Sequence, residues 1–206
     1  MAEPWGQPAV EASADLEIGE AAVAGLVAAV ELRDGHCGGH GQDVLEVAIA
    51  VGRELGVGPR ALRELALAAQ LHDIGKLAVD EAILQKPGPL TADEWQIVRE
   101  HPSAGAAVLA EIPGMADAAR MVRAHHERFD GSGYPDGLRG HQIPLGGRIL
   151  AVCDAYRAMI EQRPYRRRFT PEQALRELQA GRGSHFDGAA VDALARVLMA
   201  EPSLRE

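Results

Sequence analysis

The chain has 206 residues, 47% of them hydrophobic, with a net charge of −9 and two cysteines. That length suits one compact domain with a buried core. The acidic balance argues against general binding to polymeric nucleic acid, whose phosphates are held by excess Lys and Arg. No window offers the roughly eighteen uncharged apolar residues of a membrane span, and the acidic N-terminus lacks the basic and apolar regions of a signal peptide. A cytoplasmic protein without membrane attachment is therefore expected.

Residues 1–14 are small, acidic and proline-containing, and read as a flexible tail or linker stub ahead of a single domain over 15–206. From there helices follow one another. Leu16, Val23, Leu26, Val27 and Val30 form an i, i+3, i+4, i+7 stripe that predicts a helix over 15–33. Similar stripes predict helices over 42–55, 60–73, 92–100, 103–111, 115–126, 146–161, 171–180 and 188–199. Pro59 and Pro171 suit first helical positions, and Thr91-Ala92-Asp93-Glu94 reads as a capping box. The one candidate for extended structure is a short hairpin or loop within 130–144. The fold class is all-α. Cys37 and Cys153 have no CxxC or finger spacing, so neither a disulfide framework nor a zinc finger is expected, and Cys153 in RILAVCDAY reads as a small core residue.

Ionisable residues interrupt this helical pattern at particular places. His72-Asp73 follows an apolar helix and precedes Gly75 and Lys76; His101 precedes Pro102, where the helix from 91 must end or kink; His125-His126 stand before a glycine-rich turn; Asp154 breaks an otherwise apolar helix. Each taken alone has a bland explanation as a hydrogen-bonded core or surface group. Together they are costly to bury unless paired or bound to a metal. Imidazoles and carboxylates from several helices make the donor set of Mn, Fe or Zn pairs. A carboxylate can bridge two ions, and two-metal sites act on phosphoryl groups.

The run HDIGK at 72–76, followed by HHERFDGSGYP at 125–135, resembles the HD-GYP family of cyclic di-GMP phosphodiesterases, a branch of the HD metal-dependent phosphohydrolases. LQKPGPLT at 84–91, EHPSAGAAVL at 100–109, LRGHQIPLGGRILAVCDAYRAM at 138–159, RPYR at 163–166 and SHFD at 184–187 stand in family order. The resemblance covers about residues 15–200 and implies an HD-type helical bundle. It further implies two divalent ions, Fe or Mn, one held by His40, His72, Asp73 and Asp154 and the other by Asp73, His101, His125 and His126. Tyr134 and Pro135 match the lip of the substrate site. Lys76 matches a lysine that contacts the scissile phosphate or assists the leaving group, and Arg163 and Arg166 match basic positions near the other phosphate.

One stretch departs from the family pattern. Members commonly read D-x-Y-T-x-x-H before the first ligand, whereas this chain reads Asp34-Gly35-His36-Cys37-Gly38-Gly39-His40. In some members a glutamate four residues before that histidine helps hold a third ion; here the position is His36, either an exposed turn histidine or a weak ligand to an extra ion, and without the carboxylate a binuclear centre is expected. The activity implied is hydrolysis of cyclic di-GMP to pGpG, with further cleavage to GMP. Hydrolysis of another cyclic dinucleotide such as cyclic GMP-AMP, and a non-catalytic receptor or docking role, are the alternatives. Intact ligands and Lys76 argue against the receptor. The partners implied are the cyclic dinucleotide itself, with a diguanylate cyclase, an upstream sensory domain or a second copy of the chain as candidates.

Overall fold

The computed structural model describes residues 22–30, 40–161 and 168–205. Helix α1 spans 22–30, α2 His40–Glu54, α3 Pro59–Leu71, α4 Glu81–Leu84, α5 Ala92–Val98, α6 His101–Ala110, α7 Ala116–Ala124, α8 Leu145–Ile160, α9 Pro171–Ala180 and α10 Gly188–Ala200. A 3-10 turn over Ile74–Ala78 lies between α3 and α4. Among the described residues there is no strand, only an isolated bridge between Arg182 and Phe186. None of their helices is long and apolar enough to cross a membrane.

Helix α8 is the axis of the bundle. It buries Ile149, Leu150, Val152, Cys153, Tyr156 and Ile160 and packs against α2, α7, α9 and α10. Cys153 is buried among them as the sequence suggests, and burial pushes its thiol pKa far up. Arg157, one turn beyond Asp154, reaches Asp43 of α2 at 3.1 Å. That pair ties the helix opening on His40 to the helix carrying Asp154. Pro59 and Pro171 begin their helices as expected, and Thr91 and Glu94 close their capping box. A second box, Thr170 with Gln173, starts α9.

Two expectations are corrected. The helices forecast over 60–73 and 115–126 stop at Leu71 and Ala124, so His72, His125 and His126 stand just beyond helix ends instead of inside helices. Asp73 has φ −95° and ψ 4°, outside helical geometry, and the chain tightens there into the 3-10 turn. The segment 130–144 is loop throughout, with a 3-10 turn at Gly140–Gln142 and no hairpin. Its backbone N–H groups are engaged elsewhere. Asp130 donates to the Ser184 carbonyl, and Asp136 and Leu138 donate to the Glu127 carboxylate, so no cross-strand ladder can form.

Candidate metal centre

Three of the site histidines are held by one device. Each follows the end of a helix, where carbonyls lack intrahelical partners, and each donates its Nδ1–H to the carbonyl three residues back. His72 donates to Ala69 at 2.8 Å, His101 to Val98 at 2.7 Å and His125 to Val122 at 2.6 Å. The carbonyl fixes the tautomer and leaves Nε2 as the lone-pair nitrogen, the arrangement of metal-ligating imidazoles. The break between helices falls at Arg99 and Glu100, with Pro102 in the first turn of α6, and His101 is buried there instead of turning its ring to solvent.

The rings converge. His101, His125 and His126 present ligand atoms within 4.8 Å of one another. The Nε2 atoms of His101 and His125 stand 3.4 Å apart. Two lone-pair nitrogens at that distance repel unless a cation lies between them, and two donors about 2.1 Å from one ion at a near-tetrahedral angle are separated by about that much. Asp73 reaches both halves of the cluster. Its Oδ1 lies 3.5 Å from His101 Nε2, while its Oδ2 lies 3.4 Å from His72 Nε2 and 2.6 Å from Lys76 Nζ. Asp154 Oδ1 lies 3.8 Å from His72 Nε2. The donor set fits divalent cations.

Electrostatics favours the forms that ligation needs. Burial alone would raise the Asp73 carboxyl, but Lys76, His72 and His101 outweigh it and hold the pKa well below the usual carboxylate range. Burial, reinforced by neighbouring imidazoles, lowers His125 strongly and takes His126 down to about 4; burial also lowers His101, against the pull of Asp73. In metal-free protein His126 stays neutral to about pH 4, whereas in the unfolded chain it protonates near 6.5. A depressed folded pKa means that stability is intact above pH 6.5 and is lost as pH falls towards 4. Urea unfolding of chelator-treated protein should show a loss of about 3 kcal/mol from His126 across that window, with His125 and His101 adding to it in the same direction. A flat profile there would contradict the burial of this ring.

The structure thus brings together His72, Asp73, Lys76, His101, His125, His126 and Asp154. Tyr134 joins them, its ring 5.0 Å from that of His126, and burial pushes its hydroxyl pKa up to about 12. His36, Arg163 and Arg166, and the side chain of His40, lie outside the described residues. The sequence reading missed two supports. Glu127 is 3% exposed and accepts from Asp136 N at 2.7 Å and Leu138 N at 3.1 Å, which folds the loop back over the histidines. Its place beside His125-His126 was the available signal. Arg99 lies over the Tyr134 ring at 4.7 Å, and nothing in its helix pattern foretells that.

A family model of the HD domain matches residues 26–190. The chain belongs to the HD domain family. It is 42% identical over 173 residues to the cyclic di-GMP phosphodiesterase response regulator RpfG of Xanthomonas campestris, covering 83% of this chain and 46% of that protein. It is 37% identical over 171 residues to the 3'3'-cGAMP-specific phosphodiesterase 2 of Vibrio cholerae, covering 82% of this chain and 33% of that one. This chain therefore spans less than half the length of these relatives. Among solved structures, a cyclic GMP-AMP specific phosphodiesterase of V. cholerae superposes with a TM-score of 0.69 at 19% identity, over 87% of this chain and 48% of that one. The HD-type bundle expected from HDIGK and HHERFDGSGYP is the fold found.

Proposed function

We propose that the chain is a metal-dependent phosphodiesterase that hydrolyses cyclic di-GMP to pGpG and onward to GMP, with residues 15–206 as the catalytic unit. The observation that carries this reading is one cluster in which Asp73 meets the anchored imidazoles of His72 and His101 through opposite oxygens, His101 gathers with His125 and His126, and Asp154 approaches His72. One ion would be held by His40, His72, Asp73 and Asp154, and the other by Asp73, His101, His125 and His126. Divalent ions there, Fe or Mn, would polarise the phosphodiester and supply a nucleophile at neutral pH.

The protein's own groups do the rest. Water oxygen adds to phosphorus, the bond from phosphorus to the ribose oxygen breaks, and a proton passes to that oxygen, giving the linear dinucleotide. Lys76, held at Asp73 by a 2.6 Å contact, is the donor beside the scissile phosphate. Tyr134, kept protonated, closes the rim and can donate a hydrogen bond. Arg163 and Arg166 take the second phosphate, where a guanidinium fork suits the anion.

Cyclic GMP-AMP is the second reading, favoured by the names of the V. cholerae relatives. Anaerobic reconstitution with Fe or Mn, followed by chromatography of products from both dinucleotides, tests the proposal. Turnover of cyclic di-GMP with pGpG appearing first is the expected result. A protein that holds metal, binds the nucleotide and cleaves neither substrate would be a receptor.

A further inference from the structure

A cleft of about 230 Å³ opens beside His126 and Asp154, and its outer wall is made by Arg128, His185 and Phe186. None of these three belongs to the ligand set. The wall is built and anchored. Phe129 N donates to the His185 carbonyl at 3.0 Å, Asp130 N to the Ser184 carbonyl at 2.8 Å, and Phe186 N to the Gly181 carbonyl at 3.1 Å. The first two bonds join the segment 184–187 to the segment after the paired histidines, and the third closes the turn from Gly181 to Phe186. His185 is exposed and meets Phe186 edge-on, with ring centroids 5.9 Å apart. Arg128 Nε is buried without a hydrogen-bond partner. The carboxylate oxygen 3.8 Å from it, Asp130 Oδ1, already accepts from Ser132 N and Oγ at 2.9 and 2.6 Å. The side chain of Arg128 remains 39% exposed.

The size and chemistry select an occupant. Whole drug-sized ligands fill roughly 300–1,000 Å³, so this cleft admits one part of a dinucleotide. Asp154 and Glu127 line it as well, which disfavours a phosphate. Two aromatic side chains and a guanidinium suit a neutral planar base, since bases stack on aromatic rings. An arginine fork matches the O6 and N7 acceptors of guanine, whereas adenine presents an N6 donor in place of O6. We propose that Arg128, His185 and Phe186 form a guanine subsite, with Arg128 reading the base edge. This rests on the phosphodiesterase reading and adds what that reading lacks, a source of preference for guanine over adenine.

The test uses the whole chain reconstituted with metal, with cyclic di-GMP, cyclic di-AMP and base-free bis(p-nitrophenyl) phosphate as substrates, beside calorimetric binding of pGpG and pApA. Arg128→Ala should raise KM for cyclic di-GMP about tenfold, the loss of one bidentate base contact. The preference for the guanine substrate should collapse by the same factor, with kcat and metal content little changed. Arg128→Lys should not restore it, because an ammonium has no fork. His185→Ala should weaken pGpG and pApA alike, since stacking does not distinguish bases. Arg196→Ala, exposed and paired with Glu54, is the control. Equal losses on the guanine and adenine substrates in Arg128→Ala would overturn the proposal and make Arg128 a phosphate contact. Unchanged kinetics would also overturn it. If wild type cleaves only the base-free ester, the dinucleotide hydrolase reading fails. The subsite then stands or falls on whether pGpG binds more tightly than pApA in an Arg128-dependent way.

Discussion

Asp73→Ala is expected to leave the protein folded, strip both ions and lower kcat/KM for cyclic di-GMP by a thousandfold or more. The carboxylate lies within reach of both His72 and His101, at 3.4 and 3.5 Å from opposite oxygens, so its loss should remove a ligand from each half of the cluster. Metal ions supply several kcal/mol of transition-state stabilisation, and each 1.36 kcal/mol is tenfold in rate. Lys76 loses its 2.6 Å contact in the same substitution, which should also disturb the donor proposed for the scissile phosphate. His101→Ala should behave differently. It removes one imidazole from a set of three within 4.8 Å and should weaken retention of one ion while the other persists. Elemental analysis of both variants, with circular dichroism to confirm helix content, distinguishes the two losses. Two ions per chain and full turnover in Asp73→Ala would remove the bridging assignment.

The sequence carried the fold through periodicity and caps. The stripe Leu65, Ala68, Ala69 and Leu71 marks the buried face of α3, and Thr91 with Glu94 marks the start of α5, because both signals are local. Helix ends were less legible. His72 and His125 follow runs that continue the apolar pattern, and only the i−3 carbonyl contacts reveal that the helices have already stopped. The clustering of His72, Asp73, His101, His125 and His126 was legible from His-Asp and His-His adjacency, because such groups are costly to bury unless paired or bound to a metal. The supports were hidden because they act across the fold. Arg99 meets Tyr134 thirty-five positions later, and Arg128 comes to share a cleft with His185 and Phe186, which no helix pattern encodes. Of the hairpin and loop alternatives for 130–144, the loop forms, for a related reason. Turn residues in 130–144 suggested a local ladder, but Glu127 and the Ser184 carbonyl take the N–H groups that would have formed it.

Gly75→Ala tests how tightly the cluster is framed. The 3-10 turn carrying Gly75 lies against the start of α6, and a Cβ built on Gly75 would sit 1.9 Å from the His101 carbonyl oxygen and 2.6 Å from Gly105 N. Both obstacles are backbone, so no side-chain rotation relieves them. Replacing glycine with alanine ordinarily stabilises by about 0.4–1 kcal/mol where the geometry allows it. The steric term should exceed that gain, since overpacking typically costs about 1–3 kcal/mol and these obstacles cannot rotate away. Relief requires α6 to move away from the turn, and His101 moves with it. His101 is the residue whose Nε2 stands 3.4 Å from that of His125, so the same displacement should open the cluster and reduce metal retention in the folded fraction. Gly25→Ala in α1 is the matched control, because its Cβ would meet nothing within 4 Å. It should raise stability slightly and leave metal content alone. Urea unfolding midpoints and elemental analysis measure both effects. A Gly75→Ala protein with wild-type stability and full metal content would mean that the turn and α6 are not held in the contact on which the ligand geometry depends.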